Sequence, residues 1–282
     1  MPFLLLTTIL IFSALQSITS KQYANNEPNS KFYMFSGISA FFAMIFFIII
    51  SGFKLEFTAE FLPYSIGFAL SYAAALAGNV FAIKYGPLSI TALILSCSLI
   101  VPTLYGIIFL NDPAKITVYI GILCLIIALV FINIKDEEMK FSLKWIIWVV
   151  ISFIGNGMCS TVQKMQQVKF DGSYKSEFMI VALIIVCAIL FFASFMTSER
   201  KHKTTLQCCG LASVQGISNG IVNYLVMVLS AMIPVSVMFP MISAGGIILT
   251  IIISMTLYRE KLTKMQIAGC LFGTASVVLL SI

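Results

Sequence analysis

Apolar residues run along this chain in stretches of roughly 20, and nearly all the charge is gathered into the short breaks between them. Such a stretch, wound as a helix, is long enough to cross the hydrocarbon core of a bilayer. The pattern predicts ten spans, at roughly 3–20, 33–51, 64–85, 88–110, 116–134, 144–163, 178–197, 207–231, 234–257 and 265–282. Short segments of alternating polarity, the mark of a membrane barrel, do not occur. Helix is the remaining way to satisfy backbone groups in lipid, so the expected fold is all-α and integral to the membrane. The first span has no basic start and no small-residue cleavage pattern before Lys21. It is read as a helix and not as a signal peptide.

The second half of the chain repeats the first. Pro87–Leu110 lies over Pro234–Leu257 at a constant offset of 147, with Pro87/Pro234, Ser89/Ser236, Ser96/Ser243, Ile100/Ile247, Thr103/Thr250 and Leu110/Leu257 identical. One inserted residue later Asp112 meets Glu260, Gly121 meets Gly269 and Leu123 meets Leu271. Each copy holds five spans. An odd number makes the second copy enter the membrane from the opposite side, which predicts two inverted five-helix repeats, residues 1–137 and 138–282. The divide falls in the charged stretch Lys135–Lys140. Duplicated, inverted membrane units are a common build of secondary transporters.

Composition agrees with the membrane reading. The chain is 60% hydrophobic and 10% charged, against about 25% charged in a soluble domain. The net charge of +6 forms no continuous face and so is no nucleic-acid footprint. Most of the 17 basic residues fall in the loops after odd-numbered spans. Taken alone, that places neither terminus in the cytoplasm, but several of these residues flank acids or helix ends, and orientation stays open. The seven cysteines lack paired spacing, which argues against a disulfide framework or metal site.

Polar side chains inside apolar spans are the candidates for a site, because lipid tolerates them only when they face the bundle interior. In span 8, Gln215, Asn219 and Asn223 recur every four residues and so share one stripe of the helix, with Tyr224 beside them. The alternative is that these amides only hold span 8 to its neighbours. Gly216 and Gly220 share the same spacing and allow close helix approach. Span 3 carries Tyr72 and Asn79, span 1 carries Gln16 and Ser17, and span 6 carries Asn156. The repeat pairs Ser96 with Ser243 in spans 4 and 9. Pro102 and Pro240 lie within those two spans, where a proline removes a helix hydrogen bond. With Gly245 and Gly246 they mark spans 4 and 9 as the elements expected to bend. The repeat-matched acids Asp112 and Glu260 are expected to accept hydrogen bonds at the start of the helix that follows each.

The stretch Leu257-Tyr-Arg-Glu260-Lys-Leu-Thr263-Lys-Met-Gln266-Ile-Ala-Gly269 resembles the end-of-repeat signature of EamA-type proteins in the drug/metabolite transporter superfamily. Leu110-Asn-Asp112…Gly121 is a weaker copy. The resemblance implies ten helices, and a substrate cavity between the repeats built largely from helices 1, 3, 4, 6, 8 and 9.

No acid lies well inside any span, and the single histidine, His202, sits in a basic loop. The chain has no His-Glu-x-x-His, no Gly-x-Ser-x-Gly and no phosphate-binding glycine loop, so enzyme function, cofactors and direct ATP use are not expected. The expected function is outward alternating-access transport of a small neutral or amphipathic metabolite such as an amino acid or drug-like compound. The expected place is the plasma membrane, and the expected partners are the substrate and the bilayer. The alternative is a flippase for a lipid or lipid-linked sugar. Substrate, coupling ion and oligomeric state are not legible here.

Overall fold

A computed structural model describes residues 2–26, 32–85, 91, 94–95, 97–112, 115–133, 142–197, 206–257 and 264–281. Among the described residues there are ten α-helices: α1 (Pro2–Asn26), α2 (Phe32–Ile50), α3 (Leu62–Tyr85), α4 (Ile100–Phe109), α5 (Ile116–Asn133), α6 (Leu143–Lys169), α7 (Lys175–Met196), α8 (Leu206–Ser230), α9 (Val235–Leu257) and α10 (Lys264–Ser281). They contain no strand. Short 3₁₀ turns at Ala59–Phe61 and Cys97–Leu99 lead into α3 and α4. Six segments are long and apolar enough to cross a membrane: Pro2–Ser20, Phe32–Ile50, Ala59–Asn79, Leu143–Lys169, Lys175–Met196 and Leu206–Ser230. The apolar parts described in α4, α5, α9 and α10 are shorter.

Two helices outrun the apolar pattern. The apolar part of α1 ends at Ser20, yet the helix continues to Asn26. The helix α6 continues past 163 to Lys169. Lys and Gln are good helix formers, so polarity ends the apolar run without ending the helix. In α6 the extension is also buried: Gln163, Gln166 and Gln167 are at most 4% exposed. It ends where Phe170 and Gly172 donate to the carbonyls of Gln166 and Gln167, at 3.0 and 2.9 Å, with Asp171 and Gly172 at positive φ.

The chain divides into two compact units. One comprises Met1–Ala73 with Met165–Ala231, and the other Ala74–Lys164 with Met232–Ile282. Each draws on both halves of the sequence, and α3 and α6 each supply residues to both. The expected repeat boundary at 137/138 lies outside the described residues.

In the first unit α2 packs on α7 and α8, and α1 packs on α8. Close approach depends on small residues, as it must where apolar surface alone gives helices no preference over lipid. A Cβ at Gly216 of α8 would lie 2.1 Å from the Ser39 carbonyl oxygen of α2, and one at Gly220 would lie 2.7 Å from the Phe46 ring. The predicted role of the two glycines is thus observed, and α2 is the helix they admit. Tyr23 stacks on Phe35 at 4.1 Å, and Ser65 donates to the Phe178 carbonyl at 3.0 Å.

In the second unit α5 packs along α10, and α9 packs on α4, α5 and α10. Ser276 of α10, fully buried, donates to the Gly121 carbonyl of α5 at 2.8 Å. The second half of α3 meets α6, where Ser152 donates to the Ala75 carbonyl at 2.7 Å and Trp148 stacks on Phe81 at 4.5 Å. Trp145 donates its indole N–H to Thr91 at 2.9 Å. Buried polar groups that bridge helices in this way are satisfied, as lipid or core burial requires.

Candidate functional site

The four-residue stripe of α8 faces α1. Asn223 donates through Nδ2 to the Asn219 backbone carbonyl at 2.8 Å and to Asn219 Oδ1 at 3.0 Å. Asn219 in turn donates through Nδ2 to Gln16 Oε1 of α1 at 3.3 Å. One turn earlier Gln215 Oε1 meets the hydroxyl of Thr19. All four amide residues are half-buried. Beside them the Tyr224 ring lies edge-on to Phe46 and Phe47, at 6.5 and 6.4 Å between centroids. Within the first unit the structure therefore brings together Gln16, Gln215, Asn219, Asn223 and Tyr224 of the predicted site. It adds Thr19, buried at 4% exposure, which lies on the Gln16 face of α1 but carries no repeat or spacing signal of its own.

The other predicted residues lie on further elements or at other positions of α1. Ser17 is exposed on α1 and donates to the Ser13 carbonyl at 3.2 Å, the self-contained bond open to serine in a helix. Tyr72 stacks on Phe68 at 6.0 Å within the first unit. Asn79 is half-buried in the second half of α3. Asn156, exposed on α6, donates to Ser98 Oγ at 2.6 Å in the second unit. Ser96 lies outside the described residues.

Pro102 follows a break in span 4: residues 91, 94 and 95 are helical, Cys97–Leu99 form a 3₁₀ turn, and α4 resumes at Ile100, so the missing N–H of Pro102 falls opposite the Ser98 carbonyl of that turn. It is the third residue of α4 after the Leu99 cap, within the first turn, where amides have no intrahelical partner. The irregularity in this region is the 3₁₀ turn Cys97–Leu99 just before it. Pro240, by contrast, is inside α9, and its missing N–H leaves the Ser236 carbonyl without the usual partner four residues on. Ser243 and Pro240 border a cavity of about 10 Å³, with Thr103 of α4 and apolar side chains of α4 and α5. That volume is on the order of one water, so this void admits no metabolite. Gly245 is half-buried, and a Cβ at Gly246 would meet nothing within 4 Å, so tight packing does not require glycine at 246.

Asp112 corrects an expectation. Its Oδ2 accepts from the backbone N–H of Ser236 at 3.1 Å, in the first turn of α9 and not at the start of α5. The chain folds back after α4, with Asp112 N–H donating to the Gly106 carbonyl at 3.1 Å. That turn aims the carboxylate at the repeat-related helix, whose N-terminal amides and dipole favour negative charge. Gly106 makes room, since a Cβ there would lie 2.6 Å from Asp112 Oδ2. The repeat counterpart of Asp112, Glu260, lies outside the described residues.

Replacing Asp112 with Ala is expected to lower unfolding free energy by about 1–2 kcal/mol, the usual worth of an N-cap oxygen. Asp112→Asn keeps an acceptor and is expected to cost less than about 1 kcal/mol. Denaturant unfolding of the purified variants checks both. Equal losses in the two would place the effect in the lost charge and not in the cap.

No family model matches the chain, and no curated protein matches it in sequence. In fold it is similar to 28 solved chains. One, the crystal structure of a protein, superposes with a TM-score of 0.82 over 99% of this chain and 95% of that one, at 9% identity. At that identity the likeness concerns the fold alone.

Proposed function

We propose that the chain is a multi-pass plasma-membrane permease of the EamA type within the drug/metabolite transporter superfamily. In this reading two inverted five-helix repeats move a small neutral or amphipathic metabolite outward by alternating access, without catalysis. The carrying observation is the chain of amides from Asn223 through Asn219 to Gln16. It joins two helices apolar enough to cross a membrane, where unneeded polar groups are costly. Two further observations support the architecture. Three pairs of helices matched by the sequence repeat pack on each other: α2 on α7, α4 on α9 and α5 on α10. Asp112, matched to Glu260, binds the helix that the repeat pairs with its own.

The test is a thermal-shift screen of the full-length purified protein against amino acids and drug-like compounds, since a ligand that binds the folded state raises apparent stability. Hits are then followed by counterflow into proteoliposomes. Saturable uptake above that of empty liposomes is the expected result. Movement of labelled lipid in the same vesicles, with no metabolite uptake, would replace the permease reading with a flippase.

A further inference from the structure

The amide chain between α8 and α1 has a direction, and one contact sets it. Asn223 faces both the backbone carbonyl and the side chain of Asn219, at 2.8 and 3.0 Å. A backbone carbonyl can only accept a hydrogen bond. The end of the Asn223 amide that lies there must therefore be its NH₂ group. The Asn219 atom facing the same NH₂ must then be the acceptor Oδ1, which turns Asn219 Nδ2 toward α1. The Gln16 atom that meets it at 3.3 Å must be the acceptor Oε1. Each amide fixes the next, and aligned amides polarise one another in the same sense. The chain terminates in Gln16 Nε2, which donates to nothing among the described residues. The neighbouring Thr19–Gln215 contact has no such anchor. The single Thr19 hydroxyl proton also lies within reach of the Leu15 and Gln16 carbonyls, at 3.1 and 3.0 Å.

We infer that the free end of this relay is a hydrogen-bond donor held in place from Asn223, so that the α1/α8 site selects ligands presenting an acceptor, a carboxylate or carbonyl oxygen, over ligands presenting an ammonium. The inference rests on the reading of the amide stripe as substrate-lining and adds to it the polarity of the substrate. A donor facing an ammonium leaves both groups unpaired, whereas a carboxylate accepts from it in a charge-assisted bond. No acidic side chain takes part in the relay to reverse this preference.

The test uses three probes of one skeleton, phenylpropanoate, phenylpropanamide and phenylpropylammonium, with binding to the full-length protein measured by titration calorimetry. The wild type is expected to bind the acid and the amide at least about tenfold more tightly than the amine, the scale of one mispaired buried group. Asn223→Asp removes the anchoring donor. Asn219 then turns its NH₂ toward position 223 and its oxygen toward α1. Gln16 answers with its NH₂ and presents Oε1 outward, so the preference is expected to pass to the amine although Gln16 itself is unchanged. A new negative charge at 223 could attract the amine directly, and the double variant Asn223→Asp with Gln16→Met separates the two causes. Loss of the reversed preference in the double variant assigns it to the relay, while its persistence overturns the relay. Preference for the amine in the wild type overturns the assigned polarity and leaves the transport reading standing. If none of the three probes binds, the inference falls together with the reading of the stripe as a binding surface. Uptake of other metabolites would then still support a permease whose site lies elsewhere.

Discussion

Gly216→Leu is expected to yield no recoverable folded protein, and Gly216→Ala to lower unfolding free energy by about 1–3 kcal/mol or more, the usual range for forced overpacking. The reason is what the added atom meets. A Cβ at 216 would lie 2.1 Å from the Ser39 carbonyl oxygen, 2.9 Å from its carbonyl carbon and 2.8 Å from Phe42 Cβ. Two of these three atoms are backbone of α2 and cannot step aside as a flexible side chain would. The helices would have to separate along the seam that also seats Phe46 against Gly220. Gly210, earlier on the same helix, is the control, because a Cβ there meets nothing within 4 Å. Gly210→Ala is expected to stabilise by up to about 1 kcal/mol through helix propensity alone. Thermal unfolding of the two alanine variants in detergent reads the contrast. Equal effects at 210 and 216 would show that the α2–α8 seam is looser than the geometry requires.

The ten helices were legible because length and apolar content alone identify a membrane-length helix, and α2, α7 and α8 each begin and end within a few residues of the expected positions. Misreadings arose where helix and apolar run part company, as in the tails of α1 and α6. A span is bounded by polarity, but a helix is bounded by caps and breakers such as Asp171 and Gly172. The α8 stripe was visible from its four-residue spacing, and so was the presence of a close neighbour from Gly216 and Gly220. Which helices those neighbours were was not, because spacing within one helix says nothing about the partner opposite. The same limit explains Asp112. Its repeat match marks a turn with a fixed role but does not say which helix the carboxylate meets. The turn closed by Asp112 N–H on Gly106 carries the carboxylate to α9.

Asn219→Leu is expected to reduce transport per folded molecule by more than about tenfold, a loss on the scale of one or two buried hydrogen bonds, while the protein still folds. Asn219 is the middle of the relay, accepting from Asn223 and donating to Gln16. Leucine has the same branching and the same number of side-chain heavy atoms, but neither function. Gln16 then loses the contact that orients it, while Asn223 retains its bond to the 219 backbone carbonyl. If the amides served merely to hold α8 to α1, the same substitution would act on stability. Interhelical hydrogen bonds between membrane helices contribute about 0.6 kcal/mol on average, a cost a folded protein can absorb, and flux per folded molecule would not change. The two roles thus differ in what they predict for uptake. Lining the path gives a small shift in unfolding with a large loss of uptake; gluing the helices gives a shift in unfolding with uptake intact. Proteoliposome counterflow, normalised to the folded protein recovered by size-exclusion chromatography, separates them. The partial exposure of Gln16, Gln215, Asn219 and Asn223 favours the first outcome, since groups kept only as glue are best sealed from any competing partner.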